Sequence, residues 1–511
     1  MEVMSNGAPS IGNHSDQEME NRKPKIRAVN LGGWLVTEGW IKPSLFDAIP
    51  NKDFLDGTIL QFKSMTVRKF LCAESGGGSR VVANSSGTPG GGKHPAGSGP
   101  RWETFRLWRI SEVLFNFRVA NKQFVGLDSS GDGVDLVATC DSPGTRETFE
   151  IVRNLNDPNR VRIRASNGFF LQVRTEKRVT ADYQYDESDA WGDIDPSVFV
   201  TSFIKRLEGE FQITNGLGPR KAAEVMREHW RTFIVEEDFE FVAENGLDAV
   251  KIPVGWWMAS DPNPPPPYVG GSLAFLDKAF CWAEKHGLKV ITDLRAAPGS
   301  QNGWERSSSR DGFQEWGDTN ETIQQTLRVI EFLTSRYTKS PSLYAVDLLN
   351  EPLTGTLPRE TVSGYYIAGY KAVRKHSSAA YVIMSCMPET SSMELLLPDA
   401  SGLDRTVVDM QCYFLFDTEF DTIQDILPFI YKDSVTQVDR PASSNGPLTF
   451  VGEWVVEWGP NDATKEQYQK SAEVQLEAYG RATFGWAYWT LKCAEDRWSL
   501  EWMIKNGDIK L

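Results

Sequence analysis

Two stretches decide how this chain is read: Tyr344-Ala-Val-Asp-Leu-Leu-Asn350-Glu351-Pro352 and Leu448-Thr-Phe-Val-Gly-Glu453-Trp454. Each is a short apolar run of buried-strand length that stops at a glutamate. Similar runs recur at 28–36, 247–254, 288–294, 380–385, 407–413 and 485–491, which together with 343–349 and 448–454 makes eight. Amphipathic stretches lie between them. One covers 220–230, another 236–245 with an acidic first turn at Glu236 to Asp238 and Gly246 as its stop. A third covers 273–286 with Leu276, Phe280 and Ala283 on one face, and a fourth starts at Asn320 with Ile323, Leu327 and Ile330 inward. Strands alternating with helices predict parallel βαβ units, and eight of them predict a closed (β/α)8 TIM barrel. An open doubly wound sheet is the competing arrangement, and no Gly-rich dinucleotide fingerprint favours it.

The chain divides by texture. Residues 1–25 read as a disordered tail and 26–54 as the first barrel strand segment, 55–205 change to short alternating strand patterns with Gly/Ser turns, and 206–511 carry the rest of the barrel. Within 55–205, Lys69-Phe-Leu71, Gln123-Phe-Val125 and Phe169-Phe-Leu171 recur, as do Glu103-Thr-Phe105, Glu147-Thr-Phe149 and Ser197-Val-Phe199, at about 45 to 55 residues. Three units that cannot each bury an apolar face predict a threefold closed assembly. The pattern resembles a fascin-like β-trefoil, inserted after the first barrel strand. Gly76 to Gly99 read as a flexible loop within the first unit.

A formal net charge of -15 with no Lys/Arg-rich patch excludes nucleic acid as an expected partner. No stretch has transmembrane length, so no membrane partner is expected, and the polar first 25 residues lack the apolar core of a signal peptide. As written, the chain is expected in the cytoplasm; a secreted or cell-wall location applies if this N-terminus is not the biological one. Six widely spaced cysteines signal neither a metal site nor a disulfide framework. Seventeen tryptophans suit a cleft that stacks flat rings on sugars, although core packing also uses them.

Barrel enzymes react at the C-terminal ends of their strands, where Glu351 and Glu453 stand. A lone glutamate there is ordinarily a surface ion pair. Two glutamates, one beside Asn350 and the other beside Trp454, match a retaining glycosidase, which needs one carboxyl to protonate the leaving oxygen and one to attack the anomeric carbon from roughly 5 to 5.5 Å away.

The motifs Arg27-Ala-Val-Asn-Leu-Gly-Gly-Trp-Leu-Val-Thr-Glu38, Pro43-Ser-Leu-Phe46, Ala297-Pro-Gly-Ser-Gln-Asn-Gly303, Leu349-Asn-Glu-Pro352, Gly452-Glu-Trp454 and Gly485-Trp-Ala-Tyr-Trp489 resemble the exo-β-1,3-glucanase branch of glycoside hydrolase family 5. Plant members of that branch are similar in carrying a fascin-like domain at this insertion point. The resemblance implies retaining hydrolysis of a β-glucan or β-glucoside without a metal or other cofactor, with Glu351 as acid/base and Glu453 as nucleophile. It further implies that Asn350 bonds the sugar 2-hydroxyl, Tyr413 holds Glu453, Trp489 floors the first glucose subsite, and Glu38 grips hydroxyls of the terminal glucose. Trp304 and Phe416 would clamp the pocket mouth. The β-block is a second candidate surface for carbohydrate; no oligomeric state is implied.

Three positions depart from the family pattern: Lys251 stands for Arg, Arg295 for His and Gln411 for His. All three are expected to point into the pocket. Lys251 keeps the charge that would steady Glu453 but loses the planar fork. Arg295 is expected to lower the pKa of Glu351, against the needs of a general acid, and Gln411 does not titrate. Two outcomes stay open: a working glycosidase, or a catalytically degenerate barrel that binds glycans or a protein partner. An actin-bundling role borrowed from the fascin likeness is a fold-level analogy only.

Overall fold

A computed structural model describes residues 25–87, 102–129, 133–184, 191–385, 392–414, 423–439, 446–457 and 464–511. Strand β1 (Ile26–Asn30) is followed by twelve short strands: β2 (Ile59–Ser64), β3 (Phe70–Ala73), β4 (Ser79–Ser85), β5 (Phe105–Arg109), β6 (Leu114–Arg118), β7 (Phe124–Leu127), β8 (Leu136–Cys140), β9 (Phe149–Arg153), β10 (Arg160–Ala165), β11 (Phe170–Thr175), β12 (Arg178–Tyr183) and β13 (Phe199–Lys205). Seven more strands alternate with helices: β14 (Ala249–Gly255), β15 (Lys289–Ala296), β16 (Leu343–Asp347), β17 (Tyr381–Ser385), β18 (Thr406–Cys412), β19 (Leu448–Trp454) and β20 (Gly485–Tyr488). β1 and β14 to β20 close into one barrel, every pair parallel. The open-sheet alternative is thereby excluded.

The first strand lies earlier than its apolar run suggests. Leu31 to Val36 is instead a turn-rich segment, buried because Trp34, Leu35 and Val36 pack beneath the helix Glu210–Thr232. That helix is longer than its periodic stretch and breaks at Gly218, whose φ of 73° leaves the helical region. The helices Glu236–Glu244, Ser272–His286 and Asn320–Tyr337 sit where amphipathic spacing predicts them.

Alternation along the strands stacks the barrel interior in layers. Ala28, Ala249, Ile291, Ala345, Ile383, Val407 and Phe450 form an apolar floor. Two residues further along each strand come Asn30, Lys251, Asp293, Asp347, Ser385, Asp409 and Gly452, all buried. The ends of the strands above this polar layer carry the candidate site.

In the β-block, β2, β5, β6, β9, β10 and β13 pair antiparallel in a closed ring. Three hairpins, β3–β4, β7–β8 and β11–β12, stand off it. The recurring sequence triplets open β3, β7 and β11, and β5, β9 and β13, so sequence period and strand order coincide. Phe62, Phe105, Phe117, Phe149 and Phe199 fill the ring. The flexible loop expected from Gly76 is corrected in part: Ser79–Ser85 is a strand, held because Val81 and Ala83 bury against this core.

Candidate active site

The site begins with the charged layer. Lys251 reaches across the barrel to carboxylates on three strands, Asp347 at 3.0 Å, Asp409 at 3.2 Å and Asp293 at 3.8 Å, all without solvent exposure. Burial pushes Asp293 up to about 7 and Asp347 and Asp409 up to about 6, with Lys251 opposing each rise. The expectation that Lys251 points into the pocket is corrected: the shorter, unforked amine sits one layer lower and reaches Glu453 only through its field. Gly452 is required here, because a Cβ would lie 2.1 Å from Asp409 Oδ1. Its N–H donates to that oxygen at 2.7 Å, which locks the strand just before Glu453.

Above the layer, Glu453 Oε1 accepts from Asn350 Nδ2 at 3.1 Å and from Arg295 Nη1, and Glu453 Oε2 accepts from Tyr413 Oη at 2.8 Å. Burial alone would raise this carboxyl, but Arg295, Lys251 and Tyr413 together hold it below the ordinary glutamate value. Glu351 shows the opposite direction. Burial raises it, and the adjacent Glu453 charge adds to the rise, against the pull of Arg306 and Arg295. The two carboxyls are therefore driven apart, one toward the charged form and one toward the protonated form.

Glu351 adopts a left-handed backbone, φ 45°, uncommon for a residue with a side chain. It is held from both sides: its N–H donates to Ser385 Oγ at 3.2 Å and its carbonyl accepts from Asn302 Nδ2 at 3.1 Å. Gln301 donates to the carbonyls of Arg295 at 2.7 Å and Asn350 at 2.8 Å, tying the ends of β15 and β16 together. Such strain at a strand end accompanies functional positions.

Arg295 lowers Glu351 as the sequence suggests, but burial outweighs it, and its direct contacts lie elsewhere. Its fork bonds Glu453 rather than Glu351, its Nε lies 3.4 Å from Glu38, and its Cζ stands 4.0 Å from the Trp489 ring centre. The guanidinium thus covers a ring expected to receive sugar, while Glu351 keeps its upward shift. Gln411 is 4 % exposed, pairs in register with Glu453, and has no hydrogen-bond partner on either amide atom among the described residues. Glu38, 3 % exposed, accepts from Trp40 Nε1 at 3.1 Å and is pushed up to about 7 by burial. Trp304 is 38 % exposed at the mouth, with Lys205 Nζ 3.7 Å from its ring centre. Phe416 lies outside the described residues.

Residues that the sequence did not single out also meet here. Arg306 Nε donates to Glu351 Oε2 at 2.5 Å; its single 3-10 turn gave no periodic signal. Asp293, Asp347 and Asp409 were legible in principle, as inward charges in apolar strands. The loop bearing Trp304 and Arg306 is pinned by the β-block. Arg118 pairs with Asp311 and Glu315, both at 2.8 Å, and Trp108 Nε1 donates to Asp311 at 2.6 Å. Arg310 Nε donates to Asp56 at 3.0 Å.

A parallel eight-stranded barrel with two buried glutamates at its strand ends, one biased to the anion and one to the acid, defines a glycoside hydrolase of the two-carboxylate class. Residues 219–495 match the cellulase family (glycosyl hydrolase family 5), and the chain belongs to that family. Residues 51–204 match a separate family described as a domain of unknown function, DUF7910. A glucan 1,3-beta-glucosidase of Blumeria graminis is 28 % identical over 365 residues, covering 62 % of this chain and 83 % of the relative. A probable glucan 1,3-beta-glucosidase A of Emericella nidulans is 41 % identical over 195 residues, 37 % of this chain and 47 % of its own length. Rutinosidase from Aspergillus niger has the same fold, with a TM-score of 0.52 at 20 % identity over 58 % of this chain and 88 % of that one.

Proposed function

We propose that this protein hydrolyses β-glucosidic bonds, in a β-1,3-glucan or a smaller β-glucoside, with retention at the anomeric carbon. Glu453 attacks C1 while Glu351 protonates the departing oxygen; a water activated by Glu351 then releases the sugar from Glu453. The observation that carries this reading is the opposed bias of the two carboxyls, Glu453 held ionised by Arg295 and Tyr413, and Glu351 raised by burial. Asn350 both holds Glu453 and keeps a second amide atom, Oδ1, without a protein partner among the described residues, suited to a sugar hydroxyl. Glu38 and Trp489 serve the bound glucose, and Trp304 its outer neighbour. Incubation with an activated 2-fluoro glucoside and mass spectrometry of the intact protein tests this: one added glycosyl group, lost in Glu453→Gln, is expected, and no added mass under any condition overturns it.

A second reading is favoured by one observation. Arg295 lies on the Trp489 ring, and a binding protein without turnover would tolerate that cover. Glycan binding without a covalent adduct would select it.

The β-block is read as a fascin-like β-trefoil spanning 55–205, supported by its six-strand ring and threefold strand recurrence. Its place after the first barrel strand supports membership of the plant-type branch, although the curated relatives described above are fungal.

A further inference from the structure

We infer that Arg306 and Lys205 make the leaving-group side of the site a receptor for an anionic aglycone, a β-glycoside whose leaving group carries a carboxylate that draws Arg306 off Glu351. This rests on Glu351 being the acid/base. The cleft has two unlike ends. Glu453, Trp489, Glu38 and Arg295 are each no more than 4 % exposed, whereas Trp304 is 38 % exposed and the Arg306 side chain 19 %. A retaining enzyme holds the glycone against its nucleophile and the leaving group against its acid, so the leaving group lies toward Trp304.

At that end the charges are cationic and attached to an aromatic ring. Lys205 Nζ stands 3.7 Å and Arg306 Cζ 5.1 Å from the Trp304 ring centre. Lys205 comes from β13 of the inserted block and makes no hydrogen bond or ion pair among the described residues; the charges acting on it are Glu305, Arg306 and Arg106. The one acid of that set, Glu305, offsets one of the cations. Both cations lie over the Trp304 ring, so a carboxylate that the leaving group brings to that ring meets them there.

The ion pair explains why the leaving group's charge matters. Arg306 on its Oε2 pulls Glu351 toward the carboxylate, against the rise that burial gives it, and so opposes the protonated form that a general acid needs. A carboxylate on the leaving group competes with Glu351 for the guanidinium in a two-donor geometry. Glu351, left among buried surroundings and beside Glu453, then takes a proton from solvent. That proton passes to the glycosidic oxygen as Glu453 bonds to C1 and the C1–O bond breaks, and the leaving group departs as a hydroxyl compound still bearing its carboxylate. A neutral aglycone leaves Arg306 on Glu351, and Glu351 then gives up its proton against that pull, at a lower rate.

The test compares kcat/KM for 4-carboxyphenyl and 4-carboxamidophenyl β-glucosides in the wild type and in Arg306→Gln. Taking the ratio of the two ratios cancels the intrinsic reactivity of the phenols. The wild type is expected to favour the carboxylate roughly ten- to a hundredfold more than Arg306→Gln does, as for one charged hydrogen-bonded contact. Arg306→Lys is expected to retain part of the preference. Equal ratios in wild type and Arg306→Gln overturn the inference. If Arg306→Gln does not fold, Lys205→Met is measured instead, with a preference reduced by about threefold expected for a weaker, partly exposed cation, and an unchanged preference counting against it. If neither glucoside is cleaved, the β-glucosidase reading has failed, and calorimetric binding of the same two compounds still decides: tighter binding of the carboxylate that is lost in Arg306→Gln supports the receptor, and equal binding overturns it.

Discussion

Asn350 donates its side-chain amide to Glu453 Oε1 at 3.1 Å, so the residue before one proposed catalytic carboxyl grips the other, 103 positions along the chain. Glu351 itself takes a left-handed turn, φ 45°.

Asn350→Ala is therefore expected to lower kcat/KM for an aryl β-glucoside roughly ten- to a hundredfold, the worth of a hydrogen bond to a charged group. Labelling by the 2-fluoro glucoside should slow in step. Initial rates beside labelling rates check both.

Glu351→Gln is expected to cost about 10²- to 10⁴-fold in turnover while leaving binding of the intact glycoside within about threefold. Glu453→Gln removes covalent labelling altogether. Full turnover by Glu453→Gln would show the nucleophile to be another group.

Lys251→Met leaves Asp293, Asp347 and Asp409 buried without their cation. A loss of about 3 to 5 kcal/mol at pH 7 is expected from urea denaturation. These aspartates already stand above their ordinary value in the fold, so the native state binds protons that the unfolded chain releases. Stability from them is fully present below the unfolded value and falls as pH rises through about 6 to 7. Removing the lysine should steepen that fall, and acidification to pH 5 should recover part of the loss.

Glu210 supplies a second pH signature, away from the site. It is buried, accepts the N–H and hydroxyl of Thr37 at 3.0 and 2.5 Å, and is pushed up to about 7 from 4.5 by burial. Its folded value exceeds its unfolded one, so it favours the fold below pH 4.5 and loses that contribution as pH climbs to about 7. Glu210→Gln is expected to abolish this component. The stability of the wild type relative to the variant should drop between pH 5 and pH 8 by at most about 3 kcal/mol. Paired denaturation curves at the two pH values check the sign.

The barrel was legible because buried parallel strands are near-continuous apolar runs, and each of the eight can be seen without knowing its partners. The end of β1 was not, since Leu31 to Val36 is as apolar as a strand but is buried by the helix Glu210–Thr232 rather than by ladder pairing. Strand β4 was hidden in glycine- and serine-rich surroundings, where only Val81 and Ala83 mark the core face. At the site, strand-end residues such as Glu351 and Glu453 carry a positional signal. Arg306 carries none, since the single 3-10 turn Glu305–Ser307 is too short to show a period. The direction of Arg295 was equally closed to reading: that a cation enters the cleft follows from its strand position, but which of several carboxylates it meets depends on the relative heights of β15, β16 and β19.

The contacts of Asp311 with Trp108 and Arg118, and of Arg310 with Asp56, bear on how this protein can be trimmed or recombined. Excision of residues 59–205 would leave a closed barrel on paper, yet it would strip the Asp311 carboxylate of Trp108 and Arg118 and release the segment that brings Arg306 to Glu351. A barrel transplanted without its insertion, or an insertion grafted onto a foreign barrel, would therefore inherit the parts without the fit between them.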